Sequence, residues 1–305
     1  MPNLAHQAPI TQSENKEMLL TQEVAIVTDS LACLTRELVE QYGISIMPLN
    51  FYAGGKLYKD WVDITPSKAY ELFLKDPDSF KTSAVSPADC LKAYREASKR
   101  AKNILCITVS SKLSAVYSVA QGAKEQAKTE LPQTTIEVLD SQTCTAAEGF
   151  VALAAARAAA EGKSLAEVIK AAEEMRDKVT FVAILDTVRH IYRSGRIPKV
   201  AARAASILNI KPMLTISSGA VRFMGAAINK RQGTDQLLRR MRDKVGQSPV
   251  HVAVMHAYAP DEAEKLKERV SSEFNCAELW VTEFSPLMGY ACGTGTLGFA
   301  FYSES

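Results

Sequence analysis

The sequence has almost no excess charge of either sign: 36 Lys and Arg stand against 34 Asp and Glu, a formal net charge of +2. This balance leaves no broad basic surface for nucleic acid, so any recognition of anions is local. Long apolar runs are also missing. The longest, Phe150 to Ala156, ends at Arg157, far short of the roughly 20 residues that span a bilayer. Residues 1–22 are polar and lack the apolar core of a signal peptide, so a disordered, uncleaved leader and a cytoplasmic location are expected. The six cysteines stand singly, with no Cys-x-x-Cys pair and no His-x-x-x-His partner, so neither a zinc site nor a redox pair is spelled out. Most of them read as small core residues. There is no Gly-x-x-x-x-Gly-Lys-Ser/Thr loop and no Gly-x-Gly-x-x-Gly turn, so no nucleotide or dinucleotide cofactor is expected.

What is present is ordinary globular composition, 47% hydrophobic and 23% charged over 305 residues, enough chain for two domains of roughly 150 residues each. A strand, polar turn and helix follow one another three times. The first unit is Val24 to Thr28, Asp29-Ser30 and Thr35 to Tyr42; the second is Asn103 to Val109, Ser110-Ser111 and Leu113 to about Lys128. The third is Thr135 to Leu139, Asp140-Ser141 and Ala146 to Ala160. Strands alternating with helices imply a mostly parallel sheet covered on both faces. Between the first two units, Gly54-Gly55 reads as a hairpin turn, Pro66 to Leu74 as a helix, Thr82 to Pro87 as a polar loop and Pro87 to about Lys102 as a helix.

A second series follows Gly162: helix Ser164 to Lys178, strand Phe181 to Leu185, a short helix to Arg193, a helix to about Leu208 and strand Ile210 to Ile216. Ser217-Ser218-Gly219 turns into another strand. Then come helix Thr234 to Val245, strand Val250 to Met255, helix Asp261 to Phe274, strand Leu279 to Thr282, a Gly-rich loop and a last strand near Leu297 to Tyr302. The expected fold class is α/β with two α/β domains, 23–165 and 166–305, and a mostly parallel sheet in the first. The Ala-rich stretch 152–160 reads as close helix packing.

Four small polar clusters fall where strands should end: Thr28-Asp29-Ser30, Thr82-Ser83, Ser110-Ser111 with Ser114, and Asp140-Ser141. That rim is where open α/β sheets bind ligands, although each cluster can also serve as a helix N-cap. His256 ends an apolar strand and reads as a structural histidine or a ligand contact. His190, with Arg189 and Arg193, reads as a solvated basic face; with Arg196 and Lys199 the trio could instead dock an acidic partner.

The chain resembles the DegV family, the bacterial fatty-acid-binding proteins that serve a fatty acid kinase. The resemblance rests on Val27-Thr-Asp-Ser30, Thr82-Ser-Ala-Val-Ser-Pro87, Ser110-Ser-Lys-Leu-Ser-Ala-Val-Tyr117, Asp140-Ser141, Ser194-Gly-Arg-Ile197, Asn209-Ile-Lys-Pro-Met-Leu214, His256-Ala257 and Gly293-Thr-Gly295, in family order from about 23 to 302. It implies a ligand tunnel between the two domains, holding a long-chain fatty acid with its carboxylate at a polar end. It places Thr82, Ser83, Ser110, Ser111, Ser114 and His256 among the ligand-binding residues and Arg196 near the head group and the kinase-facing surface. The sequence departs from the family pattern at Ala84-Val85, at Ser114-Ala-Val-Tyr117, and at Ala291, where members often carry a histidine.

The implied function is a non-enzymatic carrier that presents the acid to a separate fatty acid kinase, holds the acyl phosphate and feeds phospholipid synthesis. No metal and no catalytic residue is expected. Its partners would be the fatty acid and the kinase subunit, with transient contact at a membrane surface and no nucleic acid. Two other classes stay open: a phosphotransferase or hydrolase using Asp29, Asp140 and Ser110, and a ligand-free interaction protein. Tunnel length is expected to depend on residues such as Met47, Phe51, Leu214 and Met288.

Overall fold

A strand that is apolar on both faces is stable only where the sheet is covered on both sides. Val24-Ala-Ile-Val-Thr-Asp forms such a strand in the computed structural model, which describes residues 23–196 and 210–304. The leader 1–22 and the helix expected up to Leu208 lie outside the described residues. Strand β1 (Val24–Asp29) is buried along its whole length. It sits inside a parallel sheet of order β2-β1-β6-β7, with β2 (Ser45–Met47), β6 (Asn103–Thr108) and β7 (Thr135–Asp140). Val27 pairs with Cys106, and Cys106 with Val138. Because successive side chains alternate across the sheet, Ala25, Val27, Ile104 and Cys106 pack under α3 (Pro87–Ser98) and α4 (Val116–Glu130). Val24, Ile26, Leu105 and Ile107 face the other way, onto α5 (Thr145–Ala160) and α6 (Leu165–Lys178).

Helix α5 is buried on nearly every side, as an alanine-rich helix without a polar face must be. Small side chains let backbones approach closely: a Cβ on Gly149 would stand 2.5 Å from the Ala32 carbonyl oxygen. The opposite side of α5 meets a second sheet, of order β10-β9-β8-β13-β11-β12. Its strands are β8 (Thr180–Ile184), β9 (Lys211–Ser217), β10 (Ala220–Ala227), β11 (Val250–His256), β12 (Cys276–Glu283) and β13 (Leu297–Ser303). Only β11 and β12 pair in parallel. Phe181, Ala183, Ala253 and Ala300 join the core beneath α5, whereas Val182, Val252, Val254 and Phe299 pack on α8 (Lys230–Val245) and α9 (Pro260–Glu273). The molecule is therefore layered helix, sheet, helix, sheet, helix. The division expected near residue 165 falls between α5 and α6, inside the layer that both sheets share.

Two features depart from the sequence reading. Thr82 and Ser83 lie in β5 (Lys81–Ser83), a strand of a small antiparallel sheet of order β4-β3-β5 with β3 (Asn50–Ala53) and β4 (Lys56–Lys59), and not at the end of a parallel strand. The Gly54-Gly55 turn joins β3 to β4 as expected. The Gly-rich loop before β13 is largely a helix, α10 (Pro286–Cys292), started by Ser285 as cap and Pro286 in the first turn. Its Gly289 conceals the helix in sequence; the residue is glycine because the Tyr70 ring lies against it. The remaining helices are α1 (Arg36–Tyr42), α2 (Pro66–Lys75) and α7 (Arg189–Arg193). Among the described residues no helix is long and apolar enough to cross a membrane.

Candidate ligand-binding site

The carboxyl ends of β1, β6 and β7 open toward the second sheet, and an apolar cavity lies between them. From the first unit its wall takes Leu31 after β1, Val109 and Leu113 after β6, and Cys144 before α5. From the second it takes Phe181, Leu214, Ile216 and Val221, and α10 supplies Leu287, Met288, Ala291 and Cys292. Burial pushes the Cys292 thiol up to about 12 and the Cys144 thiol well above its ordinary value, so both stay neutral and act as apolar wall. Thr82, Ser114 and Arg196 are the polar residues on this lining. An apolar cavity with a few polar groups at one end suits a small amphipathic ligand.

Those three polar residues also border a second, more open space outside the first, where Ser83, Ser111, Lys112 and Ser118 join them. The structure thus brings together Thr82, Ser83, Ser111, Ser114 and Arg196 from β5, the loop after β6 and the segment after α7. Ser111 Oγ donates to Asp140 Oδ2 at 2.5 Å. Arg196 is exposed, donates from Nη1 to the Ser194 carbonyl at 2.7 Å, and has no carboxylate partner among the described residues. Lys112 was not singled out from sequence; its Nζ donates to the Ser218 carbonyl at 2.8 Å.

Other expected residues are placed elsewhere. Ser110 is fully buried, donates to the Gly219 carbonyl at 2.8 Å and accepts from the Lys112 N–H at 3.2 Å. His256 borders neither space. It is buried at the end of β11, its Nδ1 accepts the Ala259 N–H at 3.2 Å ahead of α9, and burial lowers its pKa. It braces that turn, the structural role that the sequence also offered for it. His190 is not part of a solvated face. It is half-buried with Nδ1 lacking a hydrogen-bond partner, its ring against Gly293 and edge-on to Phe73, and burial lowers its pKa. Arg193 is exposed and pairs with Asp78 at 3.2 Å. Leu214 and Met288 line the cavity, whereas Met47 and Phe51 belong to the core under α3.

Among the described residues no hydrogen bond joins the three groups weighed for catalysis. Asp29 is wholly buried, accepts the Leu31 N–H at 2.9 Å and the Val109 N–H at 2.8 Å, and its carboxyl is pushed up to about 6 by burial. Asp140 serves Ser111 and the Gln142 N–H, and Ser110 serves Gly219. No base stands beside the Ser110 hydroxyl in this arrangement. No cluster of His, Cys, Asp and Glu among the described residues suits a metal ion.

The family model described as an uncharacterised protein of the DegV family matches residues 23–304. The chain belongs to the DegV family. A DegV domain-containing protein of Clostridium perfringens is 31% identical over 284 residues, covering 92% of this chain and 99% of its own length. Among solved structures, a DegV family protein of Thermus thermophilus, described by its fatty acid binding, superposes with a TM-score of 0.83 at 28% identity, covering 92% of this chain and 99% of that one. DegV of Bacillus subtilis, described as a fatty acid binding protein, superposes with a TM-score of 0.84 at 25% identity and covers 93% of this chain and all of its own. The DegV match begins at the residue before β1 and takes in both sheets and the cavity between them.

Proposed function

We propose that the protein is a fatty acid carrier: the acyl chain fills the apolar cavity, and the carboxylate lies at its polar end among Thr82, Ser114 and Arg196. The observation that carries this reading is the passage of one lining into the other, apolar walls giving way to hydroxyls and a guanidinium that belong to both spaces. At about 0.8 kcal/mol per buried methylene, some fourteen methylenes contribute roughly 11 kcal/mol, enough for tight binding after the ordering costs. A carboxylate left unpaired beside such walls would cost several kcal/mol, and hydroxyl donors with a nearby cation remove that cost. The fatty acid binding described for the Thermus and Bacillus relatives supports the same ligand class.

In this reading the exposed Arg196 and Lys112 face a separate kinase, which phosphorylates the carboxylate in the outer space, and the acyl phosphate is handed on for phospholipid synthesis. The carrier works in the cytoplasm and meets membrane surfaces transiently, with units 23–165 and 166–305 enclosing the acid. Extraction of the purified protein into organic solvent followed by mass spectrometry tests it. One long-chain acid per protein molecule is expected. Protein that yields no acid and takes up none when offered it would overturn the proposal.

A further inference from the structure

Strands β9 and β10 form a hairpin whose first strand and Val221 supply cavity wall, through Leu214, Ile216 and Val221. Strand β10 is an edge strand with no further strand on its outer side among the described residues, and its Arg222 and Phe223 are exposed. The hairpin closes at Ser218-Gly219, both with positive φ of 49° and 78°, the turn that matches strand twist. Its tip reaches across to the first unit. There, the Ser110 hydroxyl donates to the Gly219 carbonyl and the Lys112 ammonium to the Ser218 carbonyl, each at 2.8 Å. Among the described residues these are the hydrogen bonds that join the tip to the first unit. The fit is close: a Cβ on Gly219 would stand 2.6 Å from Ser110 Oγ and 3.7 Å from the Gln142 Cα.

We infer that the tip of the β9–β10 hairpin is a latch, and that ligand enters and leaves the cavity past it when the Ser110 and Lys112 bonds release. This rests on the carrier reading for the identity of the ligand, but the latch itself is a property of the protein. Val221 lies on the edge strand, and two hydrogen bonds to a hairpin tip, one of them from the exposed Lys112, open far more readily than a packed core. Ser110 thereby acts on exchange through the hairpin, and not as a head-group ligand.

The test uses Gly219→Ala, which adds strain at positive φ and crowds Ser110, and Gly219→Asn, which tolerates the left-handed turn while keeping the crowding. Neither replaces a residue lining the cavity. Stopped-flow fluorescence with cis-parinaric acid gives both rate constants, and hydrogen exchange follows the amides of residues 214–221. A latch predicts that association and dissociation both speed up by about tenfold, the worth of one hydrogen bond, with Kd nearly unchanged. It also predicts lost amide protection confined to the hairpin. Unchanged rates in both variants overturn the latch, as does faster dissociation matched by an equal rise in Kd, which is the behaviour of a ligand contact. Should the wild type bind no parinaric acid, the carrier reading fails. The latch is then judged by hydrogen exchange alone, and hairpin protection equal to wild type in the variants overturns it.

Discussion

Two polar regions occupy the same rim of the parallel sheet and treat charge in opposite ways. At the end of β1 the region is closed. Asp29 is wholly buried, and Thr28 Oγ1 donates to Glu148 Oε1 at 3.3 Å. Glu148, buried in α5, is held well above the usual carboxyl range by burial and by Asp29 beside it, so it keeps its proton, and its Oε2 has no hydrogen-bond partner. Close by, Asp60 accepts the Ser285 hydroxyl at 2.6 Å and is pushed up to about 6 by burial. At the end of β6 the region is open, with Ser111, Ser114, Lys112 and Arg196 around solvent-filled space. Residues of one chemical kind become bracing where a helix covers them and a ligand surface where nothing does. The closed region braces the fold, and in the carrier reading the open one meets the ligand.

The comparison breaks first at Asp29. Asp29→Ala strands the buried Leu31 and Val109 N–H groups, and a loss of roughly 2 to 5 kcal/mol in urea unfolding is expected. Acid retained per folded molecule should stay normal. A loss of stability below about 0.5 kcal/mol would show that the closed region is not a brace.

Next in size is the pH dependence. Asp29 and Asp60, raised from 3.8 to about 6, bind more protons folded than unfolded between those values. Stability therefore falls as pH rises from about 4 through 6, by on the order of 3 kcal/mol per group. Glu148, raised further, extends the decline to higher pH. Glu148→Gln keeps the acceptor for Thr28 and cannot ionise, so the variant should gain on wild type as pH rises toward 8. Urea unfolding at pH 5, 6, 7 and 8 measures this, and superimposable profiles would refute a raised Glu148 carboxyl.

In the open region effects move from stability to ligand. Thr82→Ala and Ser114→Ala should each speed dissociation of a fluorescent acid by roughly tenfold to a hundredfold, the worth of one charge-assisted hydrogen bond, with melting temperature unchanged. Equal dissociation rates would remove these hydroxyls from the head-group site. The smallest change in stability belongs to Arg196→Ala, within about 0.5 kcal/mol, since its side chain is exposed and among the described residues bonds locally to Ser194. Kinase-dependent phosphorylation and its salt sensitivity should nonetheless drop; full turnover in the variant would separate Arg196 from the kinase.

What could be read from the sequence follows how local each signal is. The parallel strands were legible because Val24 to Asp29 and Asn103 to Thr108 are apolar on both faces, and a buried strand in an α/β sheet has to be. Three of the four polar clusters were correctly set at strand ends, since a small polar residue is what lets a strand turn into a helix. Thr82 still reaches the site, but from an antiparallel strand whose partner, β3, lies thirty residues earlier and sends no local signal. Helix α10 was hidden because Gly289 answers to Tyr70, far away in the chain, and not to helix propensity.

By itself the sequence determined the alternation of strands and helices, the near-neutral surface and the run of family strings, all of which depend on residue type and short spacing. Tertiary structure decided which polar groups are buried. Asp29 and Ser111 each follow a strand of the same sheet, yet Asp29 is sealed beneath Glu148 on α5 and Ser111 stands open. It also turned Ser110 toward Gly219 and His256 toward Ala259. Desolvation is the physical reason: whether a hydroxyl or carboxylate braces the fold or meets a ligand depends on what distant chain covers it, and that is settled only when the two sheets close on the shared helical layer.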